Sequence, residues 1–366
     1  MSFKVQKLEE AREEELCSLL KTSATSLFYL SPRYNAFLEK YLGAECHRWA
    51  CLSKDGEALL AVFTLILKRA PLGLVANSLP FYGSNGGFAF LEPTQPAQKA
   101  AMMSAIRDAV FAFLEGLGCA AFTIVTSPFD EMAKWHQSNW QHDFTDIRIG
   151  QITFLPEGVS RETPKALIDI FEEPRPRNIR KALKDGVSCR ISSSEEDFEF
   201  LARLHRENIS SIGGISKDAP FFKMVRSFFN DGEYELRIAE IKGERVAALL
   251  LFPFNKTVEY FTPAVREDAR NSQPLCLLIY EAMLDFAAKG FLHWNWGGTW
   301  LTQDGVYKFK RKWGARDMKY HYYTKLWDKS LLSSTREELL KHFKNFYIMP
   351  FSAIEEKPLR KESAAI

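Results

Sequence analysis

The sequence predicts an α/β protein made of two similar units in tandem, each a mixed central sheet flanked by helices. Three observations predict it. One order of elements occurs twice: helices, a strand hairpin, a further strand, a long helix that stops at glycine, and another strand. Each hairpin turns on a charged glycine segment, Lys54-Asp55-Gly56-Glu57 in the first half and Lys242-Gly243-Glu244 in the second. The length of 366 residues and a hydrophobic fraction of 46% suffice for two packed cores.

In the first half, Leu8, Ala11, Leu16, Leu19 and Leu20 recur at helical spacing, and Tyr34 to Leu42 reads as a second short helix. The runs Arg48–Ser53 and Ala58–Leu67 are the hairpin strands on either side of Asp55-Gly56. A polar glycine-rich turn, Tyr82 to Gly87, precedes an amphipathic helix from Gln98 to Leu117, ended by Gly118. The apolar strand Ala120 to Val125 and the helix-like Glu131 to Asn139 follow. In the second half, Ser194-Glu195-Glu196-Asp197 starts a helix over Ser193 to Ser210, and Pro220 to Phe229 reads as the next. Tyr234–Ile241 and Ala247–Phe254 form the second hairpin, and Val258–Thr262 the further strand. Gln273-Pro274 opens the helix Leu275–Ala288, Gly290 stops it, and Leu292 to Trp296 is the last strand of the unit. The joint falls between Ile149 and Pro176. The expected bounds are 1–150 for the first domain, 151–330 for the second, and 331–366 for a helical tail that packs back on the first.

The net charge of +2 hides local segregation. Arg175, Arg177, Arg180, Lys181 and Lys184 form one basic segment, and Lys308, Lys310, Arg311, Lys312 and Arg316 another. This suits a phosphate-bearing partner and argues against a whole-surface coat for DNA. The six cysteines are scattered without a Cys-x-x-Cys pair, and no histidine spacing resembles a zinc site, so reduced thiols and no metal are expected. No signal-like opening and no apolar run of membrane-spanning length is present, so a cytoplasmic location is expected.

The chemistry-bearing segment is Trp294-Asn295-Trp296-Gly297-Gly298-Thr299 followed by Gly305 to Gly314, with Tyr307-Lys308-Phe309-Lys310 at its centre. Read as a strand end, paired glycines and an aromatic-lysine pair can bring backbone N–H groups and an ammonium to a phosphate or a developing oxyanion. A surface lysine on a strand is the competing reading of Lys310. The basic segment at Arg177 is equally a solvated helix face, and Gly83, Gly86 and Gly87 equally a plain loop. Glu259 and Asp304 are candidate bases with no partner visible in the sequence, whereas His205, His293 and His321 stand isolated.

The order of elements resembles the GNAT acyltransferase fold, and two such units in one chain resemble the Fem peptidoglycan-bridge aminoacyltransferases. The resemblance spans nearly the whole chain and rests on Leu79 to Gly87, Arg177-Asn178-Ile179-Arg180-Lys181-Ala182 with Gly186, and Tyr307 to Gly314. It implies N-acylation: an acyl group passes from aminoacyl-tRNA or acyl-coenzyme A to an amine of a cell-envelope precursor or amino sugar. No tightly bound cofactor is implied. On this reading Lys310 and Phe309 are the catalytic pair, with substrate bound by Lys308, Arg177, Arg180, Lys181, Tyr82, Ser84, Asn85, Gly86, Tyr260 and Asn295. The chain departs from the family at Tyr29-Leu30-Ser31-Pro32-Arg33-Tyr34, where bridge-building members have an aromatic-Gln-Ser-Trp type segment, and at Asp268 to Pro274, where ordinary GNAT enzymes carry a glycine-rich pyrophosphate loop. The rival class is a non-catalytic module that binds a phosphorylated ligand or RNA through the basic segments.

Overall fold

The computed structural model describes residues 3–81, 85–212, 214, 216–299 and 303–354. In chain order its first half holds strand β1 (Phe3–Lys7), helices α1 (Glu13–Thr22) and α2 (Pro32–Leu42), and strands β2 (Glu45–Ser53), β3 (Leu59–Ala70), β4 (Gly73–Asn77) and β5 (Phe88–Phe90). Helix α3 (Pro96–Gly116), strand β6 (Cys119–Val125), helix α4 (Ala133–Asn139) and strand β7 (Phe144–Phe154) complete it. Next come helices α5 (Lys165–Asp169) and α6 (Arg175–Lys184), strand β8 (Val187–Ser192), helices α7 (Glu195–Ser210) and α8 (Ala219–Phe228), and strands β9 (Glu235–Ile241), β10 (Glu244–Phe254) and β11 (Thr257–Val265). Helix α9 (Pro274–Ala288), strand β12 (His293–Thr299), helix α10 (Asp304–Arg311), strand β13 (Arg316–Leu326) and helix α11 (Arg336–His342) follow.

The chain divides into two compact units. One comprises the residues up to Leu16, Leu38–Ile147 and those from His321 onward; the other comprises Cys17–Phe37 and Arg148–Tyr320. In the first unit β1, β2, β3 and β4 pair antiparallel in that order, β5 adds to β3, β6 lies parallel to β4, and β13 pairs antiparallel with β6. In the second, β8, β9, β10 and β11 pair antiparallel, β12 lies parallel to β11, and β7 pairs antiparallel with β12. Three antiparallel steps, one parallel step and one antiparallel step describe the strand order within each unit. Both hairpin turns place glycine in the left-handed region, at φ 85 for Gly56 and φ 81 for Gly243, where a β-carbon would strain the backbone.

Each unit's strand order ends with a strand from the other half of the sequence. β7 follows β6 in the chain yet pairs with β12, and β13 follows β12 yet pairs with β6. The contiguous bounds expected from the sequence therefore differ from the observed units at residues 17–37, 148–150 and 321–330. The first of these is held by aromatic packing, since Phe28 stacks on Phe252 at 4.4 Å and Phe37 meets the edge of Phe221 at 5.5 Å. Tail residues join the first unit through hydrogen bonds: the Asn77 side chain donates to Tyr347 O and accepts from Tyr347 N.

The second core gathers Leu249, Leu251, Val258, Trp294 and Trp313 against α9. Among the few polar residues of α9, Glu281 and Asp285 share one face and pair with Arg161 at 2.8 and 2.6 Å. The first core sets Phe63, Phe122 and Trp140 against Ile106 and Val110 of α3. Residues 304–311 are helical, so the expected strand through Tyr307 and Phe309 is replaced by α10.

Candidate active site

Strand β12 carries the sequence His-Trp-Asn-Trp-Gly-Gly-Thr, and its two neighbours treat it differently. Against β11 it makes three parallel pairs, the last being Glu259 with Asn295. Against β7 its register slips between Asn295 and Gly298, so Trp296 and Gly297 together oppose Gln151. The paired glycines accommodate that bulge. Gly297 has φ 70, and a β-carbon on Gly298 would lie 2.0 Å from the Tyr320 hydroxyl oxygen.

Lys310, on the last turn of α10, is 6% exposed and reaches this bulge. Its ammonium donates to Thr299 Oγ1 at 2.8 Å, to Gly298 O at 3.1 Å and, at the limit, to Gly297 O at 3.4 Å. Burial pushes it down to about 8. Thr299 Oγ1 donates onward to Gln151 Oε1 at 3.2 Å, and Gln151 Nε2 donates to Tyr307 O at 3.3 Å, closing a ring through α10, β12 and β7. The sequence pattern predicts backbone N–H groups beside the ammonium. The structure turns the carbonyls of Gly297 and Gly298 toward it instead, while Gly297 N donates to Asn295 Oδ1 at 2.9 Å.

Glu259 lies on the same strand pair, 1% exposed. Burial drives its carboxyl up to about 8, although the Asn295 amide and the Tyr29 hydroxyl both favour the ionised form. Tyr29 donates to Glu259 Oε2 at 3.1 Å. Glu259 Oε1 and Asn295 Nδ2 are buried and stop short of a hydrogen bond of normal geometry. Tyr29 belongs to a fully buried turn, Phe28–Leu30, fixed by Asn35 Nδ2 donating to the Tyr29 carbonyl at 3.0 Å. A buried carboxyl with one unengaged oxygen, flanked by neutral donors, is the form of a base poised near neutral pH.

The second unit thus sets Glu259 and Asn295 side by side on β11 and β12, with the hydroxyl of Tyr29, a residue absent from the sequence-based candidates, on Glu259, while Lys310 reaches β12 from α10 at the Gly297–Thr299 bulge. Tyr260 packs on Trp296 at 4.8 Å and Trp294 at 6.1 Å. Phe309 is a wall residue: its ring meets the edge of Trp296 at 6.1 Å, and the Arg175 guanidinium lies 4.3 Å above it. Arg175 also donates to Phe309 O at 3.1 Å and lies 5.3 Å over Trp313, so this member of the basic segment is buried framework. Arg177, Arg180 and Lys308 are exposed, and Lys181 pairs with Asp185 at 2.7 Å. Asp304 is exposed on the first turn of α10.

Asn85 and Gly86 belong to the first unit, where both are buried. Asn85 Nδ2 donates to Thr126 O at 3.2 Å, Gly86 N donates to Val125 O at 2.8 Å, and a β-carbon on Gly86 would meet Ser78 Oγ at 2.3 Å. Their polarity is spent on β6. Tyr82 and Ser84 lie outside the described residues. Just before α9 and in its first turn, the N–H groups of Ser272, Gln273, Cys276 and Leu277 already donate to Ala269, Arg270 and, for the last two, Gln273 carbonyls, and Pro274 has none. Among the described residues no helix is long and apolar enough to cross a membrane.

Residues 176–311 match the family model described as acetyltransferase (GNAT) domain. No curated protein matches the chain in sequence. Among solved structures, FemX is similar with a TM-score of 0.71 at 15% identity, covering 90% of this chain and 98% of that one. The C-terminal domain of a protein described as a lysylphosphatidylglycerol synthetase from Agrobacterium fabrum gives 0.54 at 11% identity, covering 93% and 98%. A tandem GNAT protein from the clavulanic acid biosynthesis pathway gives 0.51 at 11% identity, covering 89% and 98%. Residues 176–311 therefore match a GNAT domain, and the chain as a whole has a fold similar to that of FemX and of the tandem GNAT protein.

Proposed function

We propose that the protein is an N-acyltransferase that moves an aminoacyl or acyl group from an activated donor to an amine of a cell-envelope precursor or amino sugar, with the chemistry at Glu259 and Lys310. The observation that carries this is that the unit matching the GNAT model buries a carboxyl on β11, with Tyr29 on one oxygen and the other unengaged, and an ammonium that reaches the β12 bulge from α10. Glu259 takes a proton from the acceptor ammonium. The freed nitrogen lone pair attacks the acyl carbon, and collapse of the tetrahedral intermediate forms the amide as the nitrogen's second proton passes to the departing oxygen or sulfur, which leaves as the donor's hydroxyl or thiol. Lys310 holds the Gly297–Thr299 bulge in shape, and exchange of its 3.4 Å contact for an oxyanion would stabilise the intermediate.

For the donor, aminoacyl-tRNA is the better fit. A pyrophosphate normally seats on free backbone N–H groups at a helix start, and those of Ser272, Gln273, Cys276 and Leu277 are engaged in turns. Exposed Arg177, Arg180 and Lys308 supply side-chain contacts to phosphates instead. The test is product mass spectrometry after incubation with aminoacyl-tRNA or acyl-coenzyme A and a panel of nucleotide-linked muramyl peptides and amino sugars. An amide product from aminoacyl-tRNA is expected. Absence of amide from either donor would overturn the activity, and tight calorimetric binding of coenzyme A would overturn the donor assignment.

A further inference from the structure

Helices α7 and α8 lie side by side in the second unit. Their inner faces bury Leu201, Leu204, Phe221 and Val225. On the outer side the facing residues are small, and Ala202 of α7 and Ala219 of α8 leave a cavity of about 570 Å³ between the helices. Its apolar lining is Ala202, Ala219 and Pro220 over the buried rings of Phe198 and Phe222. The α7 residues lining it run from Glu195 to Arg206, a slot roughly 16 Å long at 1.5 Å per residue.

The rim of this slot is charged. Arg203, Arg206, Lys217, Lys223 and Arg226 line it against the carboxylates Glu195, Glu199 and Asp218. Two of those carboxylates are engaged: Asp218 caps α8 by accepting from Phe221 N at 3.0 Å, and Glu195 lies 3.6 Å from Arg226. Arg203, Arg206 and Lys223 are exposed and have no ion pair among the described residues. Five cations against three carboxylates leave an excess of two charges over an apolar trough.

We propose that this groove binds a single-chain lipid with a phosphate monoester head, the chain lying along the apolar lining and the head among Arg203, Arg206 and Lys223. Each half of the ligand answers one half of the site. An apolar chain alone leaves the excess charge unmatched, and a polyanion without a chain leaves the apolar lining facing water. A phosphate monoester carries close to two negative charges at neutral pH, which matches the excess, and its oxygens suit the guanidinium fork. The proposal is independent of the transfer reaction and uses neither Lys310 nor Glu259.

Titration calorimetry and native mass spectrometry of the full chain with decyl phosphate test it. One decyl phosphate per chain is expected, bound at least about tenfold more tightly than inorganic phosphate or decyltrimethylammonium, a difference of about 1.4 kcal/mol. Ala202→Trp, which fills the trough, and the exposed double variant Arg206→Glu/Lys223→Glu, which reverses the rim, should each weaken binding by at least about tenfold. The double variant keeps the test decisive if the tryptophan disturbs the fold. No binding of decyl phosphate, equal binding of the cationic or chainless probe, or unchanged affinity in the double variant overturns the proposal.

Discussion

Replacing Glu259 by Gln separates the electrostatic cost of the proposed base from its chemistry. A carboxyl that titrates near 4.5 when exposed and near 8 when folded is more stable in its neutral form inside the protein. Its contribution to stability is complete below pH 4.5, falls as pH rises, and is lost once pH passes 8. At 1.36 kcal/mol per pH unit, the wild-type protein gives up about 3 kcal/mol by pH 7 and about 5 kcal/mol above pH 8. Glutamine has no such titration. Glu259→Gln should therefore gain stability relative to the wild type as pH increases, by about those amounts, beyond any constant offset from the lost Tyr29 contact. Urea unfolding at constant ionic strength from pH 4 to pH 9 measures it, with unchanged m-values as the check on the denatured state. Activity should move the other way, with transfer strongly reduced and the limb near pH 8 absent from the rate profile. An offset that stays flat from pH 4 to pH 9 would refute the buried, uncompensated carboxyl on which the assignment rests.

Lys310→Met should keep the fold and slow transfer by about a hundredfold or more, the usual consequence of removing one preorganised oxyanion contact; unchanged turnover would leave Lys310 as a brace for the bulge alone. Gly298→Ala should destabilise by about 1–3 kcal/mol, because its methyl would occupy the place of the Tyr320 hydroxyl. Tyr320→Phe in the same chain should recover part of that loss in a thermal melt, and an additive double variant would mean that the clash is not the cause. Arg177→Ala with Arg180→Ala should weaken tRNA binding and flatten its salt dependence, whereas wild-type affinity would make this face of α6 merely solvated.

The sequence made the repeat legible because hairpin turns and glycine-stopped helices are local signals. The closing strands were not legible. In β7, Ile147 and Ile149 alternate on one parity and Ile152 and Phe154 on the other, with Gly150 between, so no single period of two runs through the strand. In α10 the alternation of Tyr307 and Phe309 imitates a strand, and the buried position is a lysine, which pattern reading assigns to solvent. Lys310 thus lies on a helix where the sequence pattern reads a strand. Glu259 shows no partner in the sequence because Tyr29 lies 230 positions away. Arg175 was grouped with its charged neighbours, since spacing does not reveal that a guanidinium is stacked on Phe309 and Trp313. Asn85 and Gly86 looked like a ligand loop because composition cannot distinguish polar groups offered to a substrate from those used up on a neighbouring strand.

The exchange of closing strands sets an order of completion during synthesis. All residues of the second unit have been made once Tyr320 is joined, whereas the first unit still lacks the stretch Tyr322–Leu326 that borders β6. The half translated first is therefore the half finished last. Until then β6 presents an open edge, which is where a nascent chain is most exposed to mispairing. A ribosome paused just after Tyr320 would carry one unit with its full complement of residues and another still waiting for its final strand.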